Sequence, residues 1–310
     1  SDAAGNAATQ ASWTFKVDTI KPTLSGTPLG WATAIKPDVV ITAVEAGSGM
    51  NTGVGTFTLT GNISGLIGGS GSWDGTKLIY TWTPTNDLNE SETYTATMAN
   101  AADIAGNVAD TLTFTFQVDV TKPTIDNLAP ADDTWVTTAT PAISAQVHSE
   151  GGGSGIDAAT IVMKVDGVTV AHAYAAPTVS FTPAGLTEGT HAVTVDVKDV
   201  AGNAATQASW TFKVDTIKPT LSGTPLGWAT AIKPDVVITA VEAGSGMNTG
   251  VGTFTLTGNI SGLIGGSGSW DGTKLIYTWT PTNDLNESET YTATMANAAD
   301  IAGNVADTLT

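Results

Sequence analysis

The chain has 310 residues, of which 29 are acidic and 11 are Lys or Arg, and its formal net charge is −18 at pH 7. This charge excludes simple electrostatic binding to nucleic acid or to an anionic membrane, and it makes cations the natural partners. The lack of cysteine excludes disulfides, thiolate metal ligands and cysteine nucleophiles. No run of about 18 apolar residues occurs, so we expect no membrane insertion in this window and place any secretion signal or anchor outside it.

A long internal repeat organises the chain. Residues 1–113 recur as residues 198–310. The two copies differ at two positions only, Ser1/Lys198 and Ala3/Val200. A shorter motif, DxxKPT, begins at Asp18, Asp119 and Asp215, at spacings that suit one small domain each. These motifs predict segment boundaries at 1–17, 18–118, 119–214 and 215–310.

Apolar side chains that alternate with polar ones predict β-strands through residues 18–118. The positions expected to face inward are Val39, Ile41 and Ala43; Phe57 and Leu59; Leu78, Tyr80 and Trp82; Tyr94, Ala96 and Met98; and Leu112, Phe114, Phe116 and Val118. Residues 119–214 repeat the plan at Ile143, Ala145 and Val147; Val162; Val193, Val195 and Val197; and Trp210, Phe212 and Val214. About seven short strands per segment, with turn signals between them and no helical period, predict antiparallel immunoglobulin-like β-sandwiches. The fold class is therefore all-β, with tandem sandwiches in an extended array.

One position near the start of the penultimate strand is polar but predicted to point inward. It is Tyr94 in LNESETYTATM and His191 in LTEGTHAVTV. Immunoglobulin-like domains often carry a tyrosine corner at this place.

The combination of DxAGN, an aromatic-rich last strand and VDxxKPT resembles the bacterial Ig-like repeats of giant surface adhesins and repetitive extracellular fibres. The resemblance covers the whole chain and implies an extracellular or cell-surface location. It implies that residues 18–118 are an Ig-like domain of one subtype (A), that 119–214 are one of another (B), and that 215–310 are a copy of A lacking its last strand. Residues 1–17 would be the last strand of a preceding B-type domain. In such families calcium at domain junctions is implied to stiffen the array.

Three acidic loops meet at one pole of each predicted sandwich, because successive strands run in opposite directions. Carboxylates, amide oxygens and Gly-rich backbone carbonyls that converge on a point suit Ca²⁺, whereas Mg²⁺ demands a tighter octahedron. The predicted ligands are Asp18, Glu45, Asn51, Asp103 and Asn107 in A; Asp119, Glu150, Asp157, Asp199 and Asn203 in B; and Asp215, Glu242, Asn248, Asp300 and Asn304 in the second A. Since Asn51 stands where B has Asp157, counting charges makes the A site the weaker one.

The same residues have an alternative reading as turn formers. Asp and Asn before Gly are ordinary turn residues, and the Gly of AGN supplies a positive φ. On this reading Asp199 and Asn203 cap a hairpin through backbone hydrogen bonds. The recurrence of the motifs at one predicted pole, in a chain of charge −18, favours calcium.

Other signals point away from catalysis. The three histidines lie outside the A copies. Glu90 and Glu92 flank a turn, where we expect a solvated corner, whereas the carboxylates of a glycosidase pair must face each other across a cleft. We therefore expect no enzyme.

Trp82 and Trp210 are predicted core residues, and the tryptophans in loops or at strand ends, Trp31, Trp73 and Trp135, are candidates for ligand or subunit contact.

Two functions fit these patterns. The first is a structural or adhesive extracellular stalk or filament made rigid by Ca²⁺, whose partners are neighbouring repeats of the same chain and identical chains in a filament. The alternative is a carbohydrate-binding or spacer module of a surface-layer or polysaccharide-degrading protein, with a surface glycan as partner.

Overall fold

The computed structural model describes residues 2–150 and 153–310, and every regular element within them is a β-strand. Contacts divide the chain into two compact units. The first unit comprises Ser1–Pro123, Ser149–Asp157 and Lys198–Ala204, and the second comprises Thr124–His148, Ala158–Val197 and Ala205–Thr310. Because these units do not coincide with single predicted domains, the domain boundaries stay predictions.

Residues 23–118 of the first unit form a two-sheet sandwich. Its strands are β1 (Thr23–Thr27), β2 (Gly30–Ala32), β3 (Val39–Val44), β4 (Thr56–Gly61), β5 (Gly65–Ile67), β6 (Gly69–Trp73), β7 (Ile79–Pro84), β8 (Thr93–Ala99) and β9 (Leu112–Val118). One sheet has the order β1-β3-β7-β6, and the other has the order β2-β9-β8-β4-β5. All pairings are antiparallel except β2 with β9, which is parallel.

Strand periodicity puts the predicted apolar face inside this sandwich. Along β8, exposure alternates so that Tyr94, Ala96 and Met98 are buried while the Thr residues between them are less so. Trp82 and Phe116 are buried in the same core, which confirms the inward positions predicted for β7 and β9. The all-β sandwich prediction is therefore confirmed.

The second unit contains most of the residues between 124 and 214. Their strands are β10 (Thr124–Ala129), β11 (Thr134–Val136), β12 (Ile143–His148), β13 (Ile156–Val165), β14 (Val168–Thr169), β15 (Ala173–Ala175), β16 (Thr178–Phe181), β17 (Gly189–Asp199) and β18 (Ala208–Val214). The sheets have the orders β10-β12-β16-β15 and β11-β18-β17-β13-β14. Trp210 and Phe212 are buried as predicted, and Asp166-Gly167 forms the expected hairpin turn with both φ angles positive.

Residues 215–310 of the second unit repeat the first sandwich in part. Their strands are β19 (Thr220–Thr224), β20 (Val236–Val241), β21 (Thr253–Gly258), β22 (Gly262–Ile264), β23 (Gly266–Trp270), β24 (Ile276–Pro281) and β25 (Tyr291–Ala296). The sheet β19-β20-β24-β23 matches its counterpart, but the other sheet has three strands, β22-β21-β25. Strands equivalent to β2 and β9 are absent from the described residues of this copy.

Residues 2–22 contain no strand. The side chains of Trp13, Phe15 and Val17 are 82%, 81% and 77% exposed. The assignment of residues 1–17 to a preceding domain stays a prediction, and Ser1 lies outside the described residues. No helix within the described residues is long and apolar enough to cross a membrane.

Candidate metal centre

Three carboxylates from separate parts of the first unit converge at one end of the first sandwich. Asp18 precedes β1, Glu45 directly follows β3, and Asp103 lies in the loop between β8 and β9. One oxygen of each lies within 4.8 Å of one oxygen of each of the others. The structure thus brings together three of the five ligands predicted for domain A.

Backbone contacts fix the two loops that carry Glu45 and Asp103. Met50 and Asp103 form an isolated antiparallel bridge, and the amide of Ile104 donates to the carbonyl of Gly49 at 2.8 Å. These bonds tie the loop after β3 to the hairpin before β9. The position of the carboxylates therefore follows from paired backbone and not from side-chain choice alone.

Hydrogen bonds orient each carboxylate of the cluster. Ser48 N donates to Asp18 Oδ2 at 2.6 Å, Gly47 N donates to Glu45 Oε1 at 2.5 Å, and Asn107 N donates to Asp103 Oδ1 at 2.8 Å. A side-chain hydrogen bond from Ser48, together with backbone amides of Ile20 and Ser48, lowers the pKa of Asp18. Asp18 is therefore an anion at neutral pH.

One carboxylate oxygen of the glutamate in each cluster has no partner among the described residues. Glu45 Oε2 is buried and accepts no hydrogen bond from them, and the same holds for Glu242 Oε2 in the second copy. A buried carboxylate oxygen without a partner is unfavourable, since it has lost its hydration and gained nothing. The ion pairs between described residues use other carboxylates, such as Asp110 with Lys21. A cation among the three carboxylates would satisfy this oxygen, so the residues present fit a metal ion.

A glycine makes room for this arrangement. A Cβ built on Gly47 would collide with the carboxylate of Asp18, and one on Gly244 would lie about 2.5–2.7 Å from that of Asp215. Any side chain at these positions would displace the Asp. The glycine in EAGSG is therefore needed for the close approach of the loop to the aspartate.

The second copy forms the same cluster within the second unit. One oxygen each of Asp215, Glu242 and Asp300 lies within 4.8 Å of the others. Ser245 N donates to Asp215 Oδ2 at 2.8 Å, as Ser48 does to Asp18. Asp215 and Asp300 are 1% and 0% exposed.

The set predicted for domain B shares part of this geometry, within the first unit. Asp119 and Asp199 are buried, and Ser154 N donates to Asp119 Oδ2 at 2.6 Å. Matching Ser154 to Ser48 puts Gly151, and not Glu150, at the position of Glu45. Glu150 is exposed, and no three-carboxylate group in the described residues includes it or Asp157.

The predicted asparagine ligands are engaged in hydrogen bonds. Asn107 Nδ2 donates to the carbonyl of Asp18 at 3.1 Å and to Asp103 Oδ2 at 2.7 Å, so it positions the carboxylates. Asn203 and Asn304 make the same two bonds to the aspartates of their own sets. Asn51 Oδ1 accepts from Gly53 N at 3.1 Å, and Asn248 Oδ1 accepts from Gly250 N at the same distance. Asn51 and Asn248 therefore stabilise local turns.

Tyr94, at the predicted tyrosine corner, and Glu92 form a separate buried polar site. Tyr94 is fully buried, and its hydroxyl accepts a hydrogen bond from Asn89 N at 2.7 Å. Glu92, which is 1% exposed, accepts from Ile63 N, from the amide and hydroxyl of Ser64, and from the Tyr94 hydroxyl. The expectation that Glu92 lies in a solvated corner is therefore wrong, because its neighbours supply enough donors to hold a buried carboxylate.

The remaining predicted residues have structural partners. His191 is buried, and its two ring nitrogens contact Asp166 Oδ2 at 2.7 Å and the Thr187 carbonyl at 2.8 Å. Trp135 lies under the Lys213 ammonium at 5.5 Å from the ring centroid. Trp31 is half-buried in β2.

Comparison with known proteins agrees with the fold. Residues 120–216 match the family model of the bacterial Ig-like domain. A three-Ig structure of titin domains I67–I69 (an E-to-A variant) superposes with a TM-score of 0.50 at 11% identity, covering 94% of this chain and 97% of that one. The fibronectin(III)-like modules of Clostridium thermocellum CbhA give a TM-score of 0.38 at 19% identity, covering 62% of this chain and 93% of that one. No curated protein matches the chain.

Proposed function

We propose that this chain is a structural or adhesive repeat region of an extracellular surface protein, without enzymatic activity, that binds Ca²⁺ at its acidic clusters and becomes rigid there. The tandem Ig-like sandwiches and the bacterial Ig-like match at residues 120–216 support a structural repeat role. The observation that carries the calcium proposal is the buried, unpartnered oxygen of Glu45, repeated at Glu242, beside two further carboxylates.

Calcium suits the donor set because it accepts six to eight oxygen ligands in flexible geometry. Three carboxylates that come from separate parts of the chain suit this flexible coordination better than the strict octahedron of Mg²⁺. We place the stronger sites at Asp18 and Asp215 and a weaker one at Asp119, where Glu150 does not reach the cluster position. This order of calcium affinity is the reverse of the one predicted from the number of charged ligands, which made the A site the weaker.

Rigidity follows from where the ligands sit in the chain. Asp18 belongs to the segment that leads into β1, while Glu45 and Asp103 belong to loops of the sandwich. An ion that holds all three would fix the direction in which the preceding segment enters. Repeated at Asp215, an ion would fix the direction of a second junction in the same way.

Small-angle scattering of the 310-residue chain, in calcium and then in excess chelator, tests the stiffening. We expect a larger and better-defined maximum dimension in calcium. The double variant Glu45→Gln, Glu242→Gln keeps the side-chain shape and removes both charges, so it should behave in calcium as the parent does in chelator. Glu150→Gln, in the corresponding loop of the B set, is the matched control and should leave the response unchanged. A particle whose dimensions ignore calcium would overturn the stiffening.

A further inference from the structure

An open groove of about 480 Å³ lies on the first sandwich, apart from the acidic cluster. Its walls come from the loop Thr52–Gly55, from the end of β6 and the turn after it, and from β7. The apolar side chains that line it are Val54, Phe57, Trp73, Tyr80 and Met98. Thr52 and Lys77 stand among the polar groups of its lining.

The aromatic rings of the groove are held by the sandwich. The ring centroids of Trp73 and Tyr80 are 5.4 Å apart at an interplanar angle of 59°, and those of Phe57 and Tyr80 are 5.9 Å apart at 45°. All three rings pack against the buried cluster that contains Ile41 and Met98. Rings fixed in this way lose little conformational entropy when a ligand binds.

Small residues keep the groove open. A Cβ on Gly71 would collide with the ring and hydroxyl of Tyr80, so the side chain of Tyr80 can lie across β6 only because this residue is glycine. Gly55 has a φ of 104° and a Cβ there would press on Ala101. The Gly-Ser-Gly-Ser-Trp sequence of β6 thus exposes its tryptophan to the groove instead of covering it with neighbours.

Two donors in the groove have no partner among residues 2–150 and 153–310. None of the hydrogen bonds between described residues uses the Tyr80 hydroxyl, and none of the ion pairs between them uses Lys77. Burial raises the pKa of Tyr80, so its hydroxyl remains a donor. Asp74, by contrast, is engaged by the Thr76 hydroxyl and by the amides of Leu78 and Ile79, and it shapes the turn.

We propose that this groove binds a neutral saccharide, with a sugar ring against Trp73 and hydroxyl groups bonded to Tyr80 and Lys77. The electron-rich face of an aromatic ring attracts the C–H face of a pyranose, while the unpartnered donors can bond its hydroxyl groups. Because the chain carries a charge of −18, an acidic polysaccharide is disfavoured.

The second copy carries the same ring arrangement. Trp270 and Tyr277 are 5.5 Å apart at 61°, and Phe254 and Tyr277 are 5.9 Å apart at 42°. We extend the proposal to these rings, and binding at both places would raise the apparent affinity for a polymer above that for a short oligosaccharide. This is the behaviour required of an adhesive surface array.

The test is calorimetric titration of the 310-residue chain, in chelator, with cellohexaose, maltohexaose, mannohexaose and chitohexaose. Working in chelator separates this result from the calcium proposal. We expect saturable binding of at least one hexasaccharide, weakened about tenfold or more in the double variant Trp73→Ala, Trp270→Ala. Trp228→Ala removes a 90% exposed tryptophan outside the groove and should bind like the parent.

A second variant guards against loss of the fold. Thr52 and Thr249 are exposed, so Thr52→Arg with Thr249→Arg should leave the melting temperature unchanged while filling the first groove and the matching position of the second copy. It too should weaken binding about tenfold. Binding that survives in this folded variant, or the failure of all four hexasaccharides to bind the parent, overturns the proposal.

Discussion

Residues 18–113 and 215–310 have the same sequence in different surroundings. In the first copy Gly30–Ala32 pairs with β9 and Trp31 is half-buried; in the second, Trp228 belongs to no strand and is 90% exposed. Tyr94 is fully buried, whereas Tyr291 is only half-buried. The strand Leu112–Val118 accounts for these differences, since it is the element that the described second copy lacks. The short strand β2 is therefore created by its partner and not by its own sequence.

The acidic cluster does not differ in this way. Both copies bring three carboxylates within 4.8 Å, and both leave one glutamate oxygen buried without a partner. The cluster depends on the loop after β3 or β20 and on the hairpin that contains Asp103 or Asp300. Local backbone pairing is enough to build it, so a folded last strand is not required.

The largest expected effect comes from supplying the last strand. Extending the 310-residue chain by Phe-Thr-Phe-Gln-Val-Asp, the sequence of residues 114–119, should complete the three-stranded sheet. Burial of one Phe and one Val, as at Phe116 and Val118, is worth about 3–6 kcal/mol. Differential scanning calorimetry should show the least stable transition moving upward, and acrylamide should quench Trp228 less. An extension with Ser in place of the two Phe and the Val is the control. Equal effects of the two extensions would contradict the claim that the missing strand accounts for the difference between the copies.

A smaller effect is expected at the corner tyrosine. Tyr94→Phe removes hydroxyl contacts to Asn89 N at 2.7 Å and to Glu92 Oε2 at 3.1 Å in a buried site, which should cost about 1–3 kcal/mol of unfolding free energy. Tyr291→Phe removes the same contacts in a half-buried site, where water can replace them, and should cost less. Urea unfolding of both variants measures the difference. If the two variants lose equal unfolding free energy, burial of the tyrosine under β9 does not determine how much its hydroxyl contributes to stability.

The smallest effect is a difference in acid sensitivity. Burial acts to raise the pKa of Glu92, but hydrogen bonds from the Ser64 hydroxyl and from the amides of Ser64 and Ile63 outweigh it and lower the pKa to about 2. A lowered pKa contributes stability above the unfolded value of 4.5, and this contribution is lost as the pH falls from 4.5 towards 2. Glu92→Gln should flatten the melting-temperature profile in that window. The Ser261 hydroxyl and amide lower the pKa of Glu289 to about 2 as well, but solvent screens this half-buried carboxylate. Glu289→Gln should therefore flatten the profile less than Glu92→Gln, and an equal flattening would contradict this.

The fold was largely predictable because alternation of apolar residues survives in each long strand. Tyr94, Ala96 and Met98 needed only the period-two pattern to be placed inside. The short strand β2 could not be found in this way, since three residues carry no pattern and its pairing with β9 joins positions far apart in sequence.

The candidate site was predictable in composition but not in detail. Asp18, Glu45 and Asp103 lie close together because sandwich topology puts their loops at one pole, and their role as metal ligands stays a prediction. Glu150 was grouped with them by similarity of motif, yet its register relative to Ser154 differs by one residue from that of Glu45 to Ser48. The buried state of Glu92 was missed, because its donors at Ile63 and Ser64 come from a distant turn.

Calorimetric titration of calcium into the chelator-stripped 310-residue chain tests the central claim most directly. We predict two stronger sites per chain, one for each three-carboxylate cluster. Both should be lost in Glu45→Gln with Glu242→Gln and kept in Glu150→Gln. An absence of saturable binding, or binding that is the same in the double variant and the parent, would contradict the account.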